Sequence, residues 1–422
     1  MIPIYSYGQV PTDKIFSRAD NGADVRAAVR NIISNVQKEG DAALRRYALE
    51  FDKAQLDCLE VSVDEMDAAV ASLEPQLVEL LNQAARRIRA FHRHQIREGF
   101  VVSEEKGVVL GQKVIALDKV GLYVPGGTAA YPSSVLMNCI PAKIAGCREI
   151  VMVSPPSQDG DIAPVILAAA RIAGVDRVFR TGGAQAVAAL AYGTDKIVGP
   201  GNAYVAEAKR QVFGKVAIDM IAGPSEILIV ADAHSNPKHL AADLLSQAEH
   251  DKMAAAVLVT DSMELAQAVQ TEIERQLTSL PRAEIARVSI DQNGKVIVTD
   301  NLTQALEIAN EIAPEHLELC VDDPFAFLSQ VRNAGSIFLG RSCPEALGDY
   351  FAGPNHTLPT GGTARFMSPL SVDDFVKRTQ FTYYTQDALS KVGESVVRFA
   401  RQEGLEAHAR SVQSRFEKEE VL

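Results

Sequence analysis

The chain has 422 residues, 47% hydrophobic and 23% charged, a globular composition with room for two or more domains. A net charge of −12 argues against nucleic acid, whose phosphates need a basic footprint, and against polybasic membrane attachment. Cys58, Cys139, Cys147, Cys320 and Cys343 are odd in number, scattered and without C-x-x-C spacing. With no secretory leader and no apolar run near the ~18 residues of a membrane span, a reduced cytoplasmic protein is expected.

Residues 1–20 read as an arm, with Pro3, Pro11 and no long periodic segment. Residues 23–50 and 64–95 carry apolar residues at three- and four-residue spacing and predict helices. From Lys119 short apolar runs alternate with helical stretches. "KVGLYVPGG" is followed by a helix at 132–145, "EIVMVSPP" by one at 163–174, "RVFRTGG" by one at 184–193, and "KIVGPGN" by one to about 213. A second set holds "EILIVAD", a helix at 237–250, "AAAVLVTD", a helix at 263–278 and "GKVIVTD". Strands alternating with helices across short turns imply βαβ units and parallel sheets, as two α/β units in tandem or one inserted in the other. Residues 366–384 look irregular, a charged helix runs from about 386 to Glu403, Gly404 breaks it, and a short helix follows.

The helix at 237–250 ends in "LLSQAEHDK". Its stripe of Leu240, Ala241, Leu244, Leu245 and Ala248 faces the core; at about 100° per residue Gln247 falls at the stripe's edge and His250 about 60° beyond. Both can point into one cleft, whereas Glu249 cannot join them. The residues leave two readings open: a polar terminus with His250 favoured by the helix dipole, or half of a metal site. "APEHLEL" sets Glu315 beside His316 after a proline, either a general-base unit or a turn entering a strand. "GDYFAGPNHTLPTGG" holds Asp349, a possible metal ligand, and His356, a possible substrate contact, in a Gly/Pro-rich loop. "EGLEAH" adds Glu403 and His408 around a helix break. The other histidines, His92, His94, His234 and His239, read as surface. "PGGTAAYPSS", "TGGAQA" and "GPGNAYVAEAK" are candidate phosphate or backbone contacts, and the last two precede helix N-termini. No G-x-G-x-x-G occurs, so these residues alone describe a metal-dependent α/β enzyme of unknown reaction.

Taken in order, these blocks resemble the histidinol dehydrogenase family over about residues 25–415. The most specific stretch runs from "IDMIAGPSEILIVAD" to "LLSQAEHD" (218–251), joined by "VGLYVPGGTAAYPSSVLMNCIPAKIAG", "GGAQAVAALAYGT", "VGPGNAYVAEAK", "APEHLEL", "GPNHTLPTGGTARFMSPLSVDDF" and "EGLEAH". The resemblance implies two incomplete Rossmann-like parallel-sheet domains with an N-terminal arm and a helical C-terminal tail. It implies oxidation of L-histidinol to L-histidine by two hydride transfers to NAD, the last step of histidine biosynthesis. By the same resemblance one zinc per site would be held by Gln247, His250, Asp349 and His408; manganese or cobalt could substitute. Glu315 and His316 would be catalytic. Ser225, His356 and Glu403 would bind substrate together with His316 and the metal ligands, and Tyr123, Gln185 and Asn202 would contact NAD.

The expected division is an arm at 1–20, a first α/β domain from 21–122 plus 226–368, a second, NAD-contacting domain at 123–225, and a tail at 369–422. The family is homodimeric, and a tail with little core of its own is expected to be exchanged so that the active sites are shared. No nucleic acid or membrane partner is expected. The competing expectations are a paralogue oxidising another polar alcohol, such as a dihydroxysulfonate, and a zinc hydrolase using Glu315 as base.

Overall fold

The structure, a computed structural model, describes residues 1–18, 24–126 and 130–417. Residues 19–23, residues 127–129 of the glycine loop at 125–134 and the chain end from 418 lie outside the described residues, so the expected boundary at 20/21 and any contact of 127–129 do as well.

Two six-stranded sheets organise the larger unit, residues 1–96 and 117–375. The first sheet is wholly parallel, in the order Ile4–Ser6, Lys295–Val298, Ala255–Thr260, Glu226–Ala231, His316–Cys320, Ser336–Leu339. The second runs Glu60–Val61, Arg177–Arg180, Glu149–Ser154, Lys119–Tyr123, Lys196–Val198, Ala217–Ile218, with only its Glu60–Val61 edge antiparallel. The central strands read as unbroken apolar runs because helices cover both faces, as in Glu226–Ala231, where every residue after Glu226 is buried. The second sheet's strands all fall between Ile4–Ser6 and Glu226–Ala231 in the chain, so the second α/β unit is inserted in the first.

Three expectations about boundaries change. The helices Arg26–Glu39, Asp41–Tyr47, Val63–Ser72 and Pro75–His92 pack on the second sheet, not with residues 226–368. Val29, Ile32 and Val36 share a core with Ala184, Val187 and Val205, and Ala85 and Ile88 share one with Ile140 and Ala169. The upstream helices lie against that sheet's crossover helices, Pro132–Ala145, Pro164–Ala173, Gly183–Ala191 and Ala203–Val212. Strand Lys119–Tyr123 belongs to the second sheet too. The N-terminal arm is likewise no free arm: Ile4–Ser6 is an edge strand, and Ile2 and Ile15 are buried in the first sheet's two cores.

The predicted helix at 23–50 is split by Gly40 at φ 56°, and that at 64–95 by Leu73 and Glu74, with Pro75 starting a new helix. A smaller unit comprises residues 97–116 and 376–422. Here the stretch expected to be irregular contains the nine-residue strand Val376–Tyr384, antiparallel to Val108–Ala116, with Phe100–Val102 on the far side. The helices Gln386–Gln402 and Glu406–Gln413 follow as expected, and Val397, Ala400 and Ala409 form a small buried cluster between them. Among the described residues no helix is long and apolar enough to cross a membrane.

Candidate active site

The amino ends of Glu226–Ala231 and His316–Cys320 lie side by side, with Ile227 in register with His316. Helix Leu302–Ile312 ends at Ala313, which adopts a left-handed φ of 50°, and Pro314 then directs Glu315 and His316 into the strand. A left-handed alanine costs about 1–2 kcal/mol and marks a turn imposed by its surroundings. Gly335 lets the neighbouring backbone approach: a Cβ there would sit 2.5 Å from the Glu315 carbonyl oxygen.

Both members of the Glu315–His316 pair are seated on residue 226. The Glu226 N–H donates to Glu315 Oε2 at 3.0 Å, and His316 Nδ1 lies 3.0 Å from the Glu226 carbonyl. The carbonyl can only accept, so Nδ1 carries the proton and Nε2 keeps its lone pair. That Nε2 is buried without a hydrogen-bond partner, 3.6 Å from Glu345 Oε1. Burial depresses the His316 pKa to about 4, against the opposing pull of Asp349. Burial raises the Glu315 carboxyl well above its usual range, and the charges of Glu226, Asp349 and Glu345 add to this. Burial, then Asp349 and Glu318, push Glu345 up to about 9. Asp349 responds the other way. Burial works to raise it, but its hydrogen bond to His356 and the charges of His356, His316 and His250 hold it below the ordinary carboxylate value.

A cavity of about 120 Å³ is lined by His316, Phe338, Asp349, Asn355 and His356. Asp349 Oδ1 lies 3.4 Å from His356 Nδ1, and His356 Nε2 lies 3.3 Å from Ser134 Oγ. The helix Pro237–Ala248 approaches through Ser246, whose hydroxyl is 3.3 Å from Glu345 Oε2. On this helix's last turn Gln247 is 1% exposed and its Oε1 has no hydrogen-bond partner. Beyond it His250 directs Nδ1–H to the Ser246 carbonyl at 2.9 Å, leaving Nε2 as a lone-pair donor. The ligand atoms of His316, Glu345 and Asp349 lie within 4.8 Å of one another and could hold a cation, and the orphaned Gln247 Oε1 and the His250 Nε2 lone pair are further donors of the types that suit zinc. Ser225, immediately before the seat at Glu226, is half-buried. Glu403 and His408 belong to the smaller unit, at the end of Gln386–Gln402 and within Glu406–Gln413, and both are exposed there.

Tyr123, Gln185 and Asn202 gather at the carboxyl edge of the second sheet. Strand order reverses between Lys119–Tyr123 and Lys196–Val198, the crevice where open α/β sheets bind ligands. Tyr123 Oη accepts the Gly183 N–H at 3.0 Å, Gln185 is buried in Gly183–Ala191, and Asn202 caps Ala203–Val212 by accepting from the N–H groups of Tyr204 and Val205. Gly199, at φ 115°, admits no side chain: a Cβ would lie 2.1 Å from the Tyr123 carbonyl oxygen. Two buried polar atoms on this edge, Asn138 Nδ2 and Thr181 Oγ1, have no hydrogen-bond partner. The cavity and crevice adjoin, because helix Pro132–Ala145 carries both Ser134, against His356, and Asn138, whose Oδ1 accepts from Thr357 Oγ1 at 2.9 Å.

Sequence reasoning missed several of these residues. Glu345 carries no motif, and Ser134 was read only as the end of a glycine-rich loop, so their places beside His316 and His356 become visible only through the packing of distant segments. His92, read as surface, is buried on the inner face of Pro75–His92. Its Nδ1 lies 2.6 Å from Gln95 Oε1 and its Nε2 3.4 Å from Asn355 Nδ2, so it braces the loop that carries His356. The apolar stripe of Leu81, Ala85 and Ile88 extends to position 92 and was the available signal.

The histidinol dehydrogenase family profile matches residues 16–416. A histidinol dehydrogenase of Geobacillus kaustophilus is 55% identical over 94% of this chain and 95% of its own length. One from Clostridium acetobutylicum is 50% identical over 99% of both chains. The crystal structure of histidinol dehydrogenase from Elizabethkingia anophelis superposes with a TM-score of 0.93 at 37% identity, covering 98% of each chain.

Proposed function

The chain belongs to the histidinol dehydrogenase family, and from that premise we propose that it oxidises L-histidinol to L-histidine through histidinaldehyde, using NAD and one zinc ion. The observation that carries the reading is the buried, unpartnered Nε2 of His316 in the wall of a cavity shared with Asp349 and His356, with Glu315 seated on the same backbone residue.

Gln247, His250 and Asp349, with His408 from the smaller unit, would hold the metal, which when bound gives the amine and imidazole of histidinol a template. Tyr123, Gln185 and Asn202 would hold NAD, the acceptor of hydride from the carbinol carbon. Ser225, His356 and Glu403 orient the substrate. His316 Nε2 takes the hydroxyl proton of the alcohol, so loss of hydride from carbon leaves the aldehyde. Glu315 removes a proton from water as its oxygen adds to that aldehyde, while His316 returns its proton to the carbonyl oxygen, giving the hydrate and freeing Nε2 again. His316 then takes a hydrate hydroxyl proton as the second hydride leaves, and the carboxylic acid remains. Each step asks one positioned acid–base group for about 10²–10⁴ in rate.

The reading includes a homodimer with exchanged tails. Supporting this, the smaller unit bears Glu403 and His408, has only a small buried cluster around Val397, Ala400 and Ala409 among the described residues, and exposes Tyr383, Phe399 and Leu405. It also includes a cytoplasmic location, where free thiols such as Cys58 stay reduced. Nothing in the site favours a paralogous alcohol substrate or a hydrolytic reaction. The test is chelation: stripping the metal should abolish NADH formation from histidinol and added zinc should restore it. Full turnover by protein shown to be metal-free would overturn the metal assignment.

A further inference from the structure

The fixed hydrogen bonds of the Glu315–His316 pair converge on the backbone of residue 226, so whatever holds residue 226 sets the geometry of the pair. Strand pairing does part of this, with Glu226 opposite Ala255 and Ile227 opposite His316. The Glu226 side chain does the rest. It is largely buried, and its Oε1 accepts from Arg18 Nη1 at 2.6 Å. The other terminal nitrogen of the same guanidinium donates to the carbonyl of Ile312, the last residue of helix Leu302–Ile312. Only Ala313 and Pro314 separate Ile312 from the catalytic pair. One planar fork thus ties the strand that seats the pair to the helix that delivers it.

Arg18 is itself held. Upstream, Ile15 is 1% exposed in the core beneath the sheet, and Lys295 Nζ donates to the carbonyls of Ile15 at 3.2 Å and Ser17 at 2.9 Å. On its far side the guanidinium lies against Gly362, where a Cβ would be 3.2 Å from Arg18 Cζ. Neither Arg18 nor Glu226 lines the cavity shared by His316, Asp349 and His356, so their side chains do not meet substrate there.

We infer that Arg18 and Glu226 are positioning residues for the reaction, acting through the N–H and carbonyl of residue 226 on the acid–base pair. This rests on the reading of Glu315 and His316 as that pair. A displacement of about 1 Å at reacting groups can cost on the order of 10²-fold in rate. Removing the fork should therefore lower kcat roughly 10- to 100-fold in both half-reactions while leaving KM for histidinol and NAD close to wild type. Arg18→Lys keeps a point charge but loses the two-pronged geometry, so it should retain an intermediate kcat.

The experiment compares full-length, metal-loaded Arg18→Ala, Arg18→Lys and Glu226→Gln proteins for kcat, KM and thermal midpoint. Ethylguanidinium is added to Arg18→Ala, since a cavity of about 150 Å³ beside Arg18 leaves room for it. Partial recovery of kcat by ethylguanidinium, at unchanged thermal midpoint, is the expected result. A wild-type kcat in Arg18→Ala would overturn the inference. So would a loss that follows the thermal midpoint and is not rescued, because that is a structural staple. A second readout is independent of turnover. In ¹⁵N-histidine-labelled protein the His316 Nδ1–H resonance should broaden in Arg18→Ala and return in Arg18→Lys. An unchanged resonance contradicts the positioning role even if histidinol were not the substrate, whereas a wild-type protein inert toward histidinol but showing the resonance change would sink the functional reading alone.

Discussion

His316 and Glu315 are neighbours shifted in opposite senses by the same burial, and this separates the two half-reactions. The His316 pKa is depressed to about 4, so the neutral base persists as pH falls through the ordinary 6.5. The Glu315 carboxyl is raised, so its carboxylate form is lost on acidification well above 4.5. Aldehyde oxidation should therefore lose rate at higher pH than alcohol oxidation, and separate pH profiles of the two steps check this. Coincident acid limbs, or the reverse order, would contradict the division of roles. Substitution should agree: Glu315→Gln should slow aldehyde oxidation more than alcohol oxidation, and His316→Asn should slow both by about 10²–10⁴. At this scale, Gln247 and His250 were legible as paired candidate donors because they sit one helical turn apart in a dense local motif. Glu345 was not, because its chemistry comes from His316, Ser246 and Asp349, which lie on other segments.

Among the elements, the loop between Lys196–Val198 and Ala203–Val212 is anchored by a buried ion pair. The Lys209 and Asp219 side chains are 2% and 1% exposed and bonded to each other. Lys209 Nζ also donates to the Gly199 carbonyl at 3.0 Å, and Asp219 Oδ2 accepts the Gly199 N–H at 2.7 Å. Removing one partner strands a charge in the interior, at a cost of about 3–5 kcal/mol. Asp219→Ala should accordingly lower the thermal midpoint and raise KM for NAD more than KM for histidinol, because Asn202 lies on that loop. Calorimetry and steady-state kinetics test this, and an unaltered midpoint would refute the anchoring. The sequence was most informative about elements of this kind: strands and helices from 119 to 278 fall within a few residues of their expected limits, because βαβ units have runs buried on both faces and short turns. It was least informative about Val376–Tyr384. All its residues but Val376 are exposed in the chain described, so no alternation of apolar and polar residues betrays it; only its β-branched and aromatic content does.

For the whole molecule, the periodicity of residues 26–92 announced helices but not which sheet they cover. That choice depends on which crossover helices offer a matching apolar face, which no local pattern records. The same reasoning governs assembly. Glu403 and His408 lie in a unit with only a small buried cluster among the described residues, and an exchanged tail would complete each site from two chains. His316→Asn and His408→Asn, unfolded together and refolded, should then recover roughly a quarter of wild-type activity, since half the dimers are mixed and each mixed dimer has one intact site. If each tail serves its own chain, mixing recovers nothing.

The central claim is a four-electron oxidation completed at one site, and the stoichiometry of NADH tests it most directly. With limiting L-histidinol, excess NAD and zinc-loaded protein, the account predicts two NADH and one histidine formed per histidinol, without free aldehyde accumulating. One NADH per histidinol with aldehyde released, or no NADH at all, would contradict it.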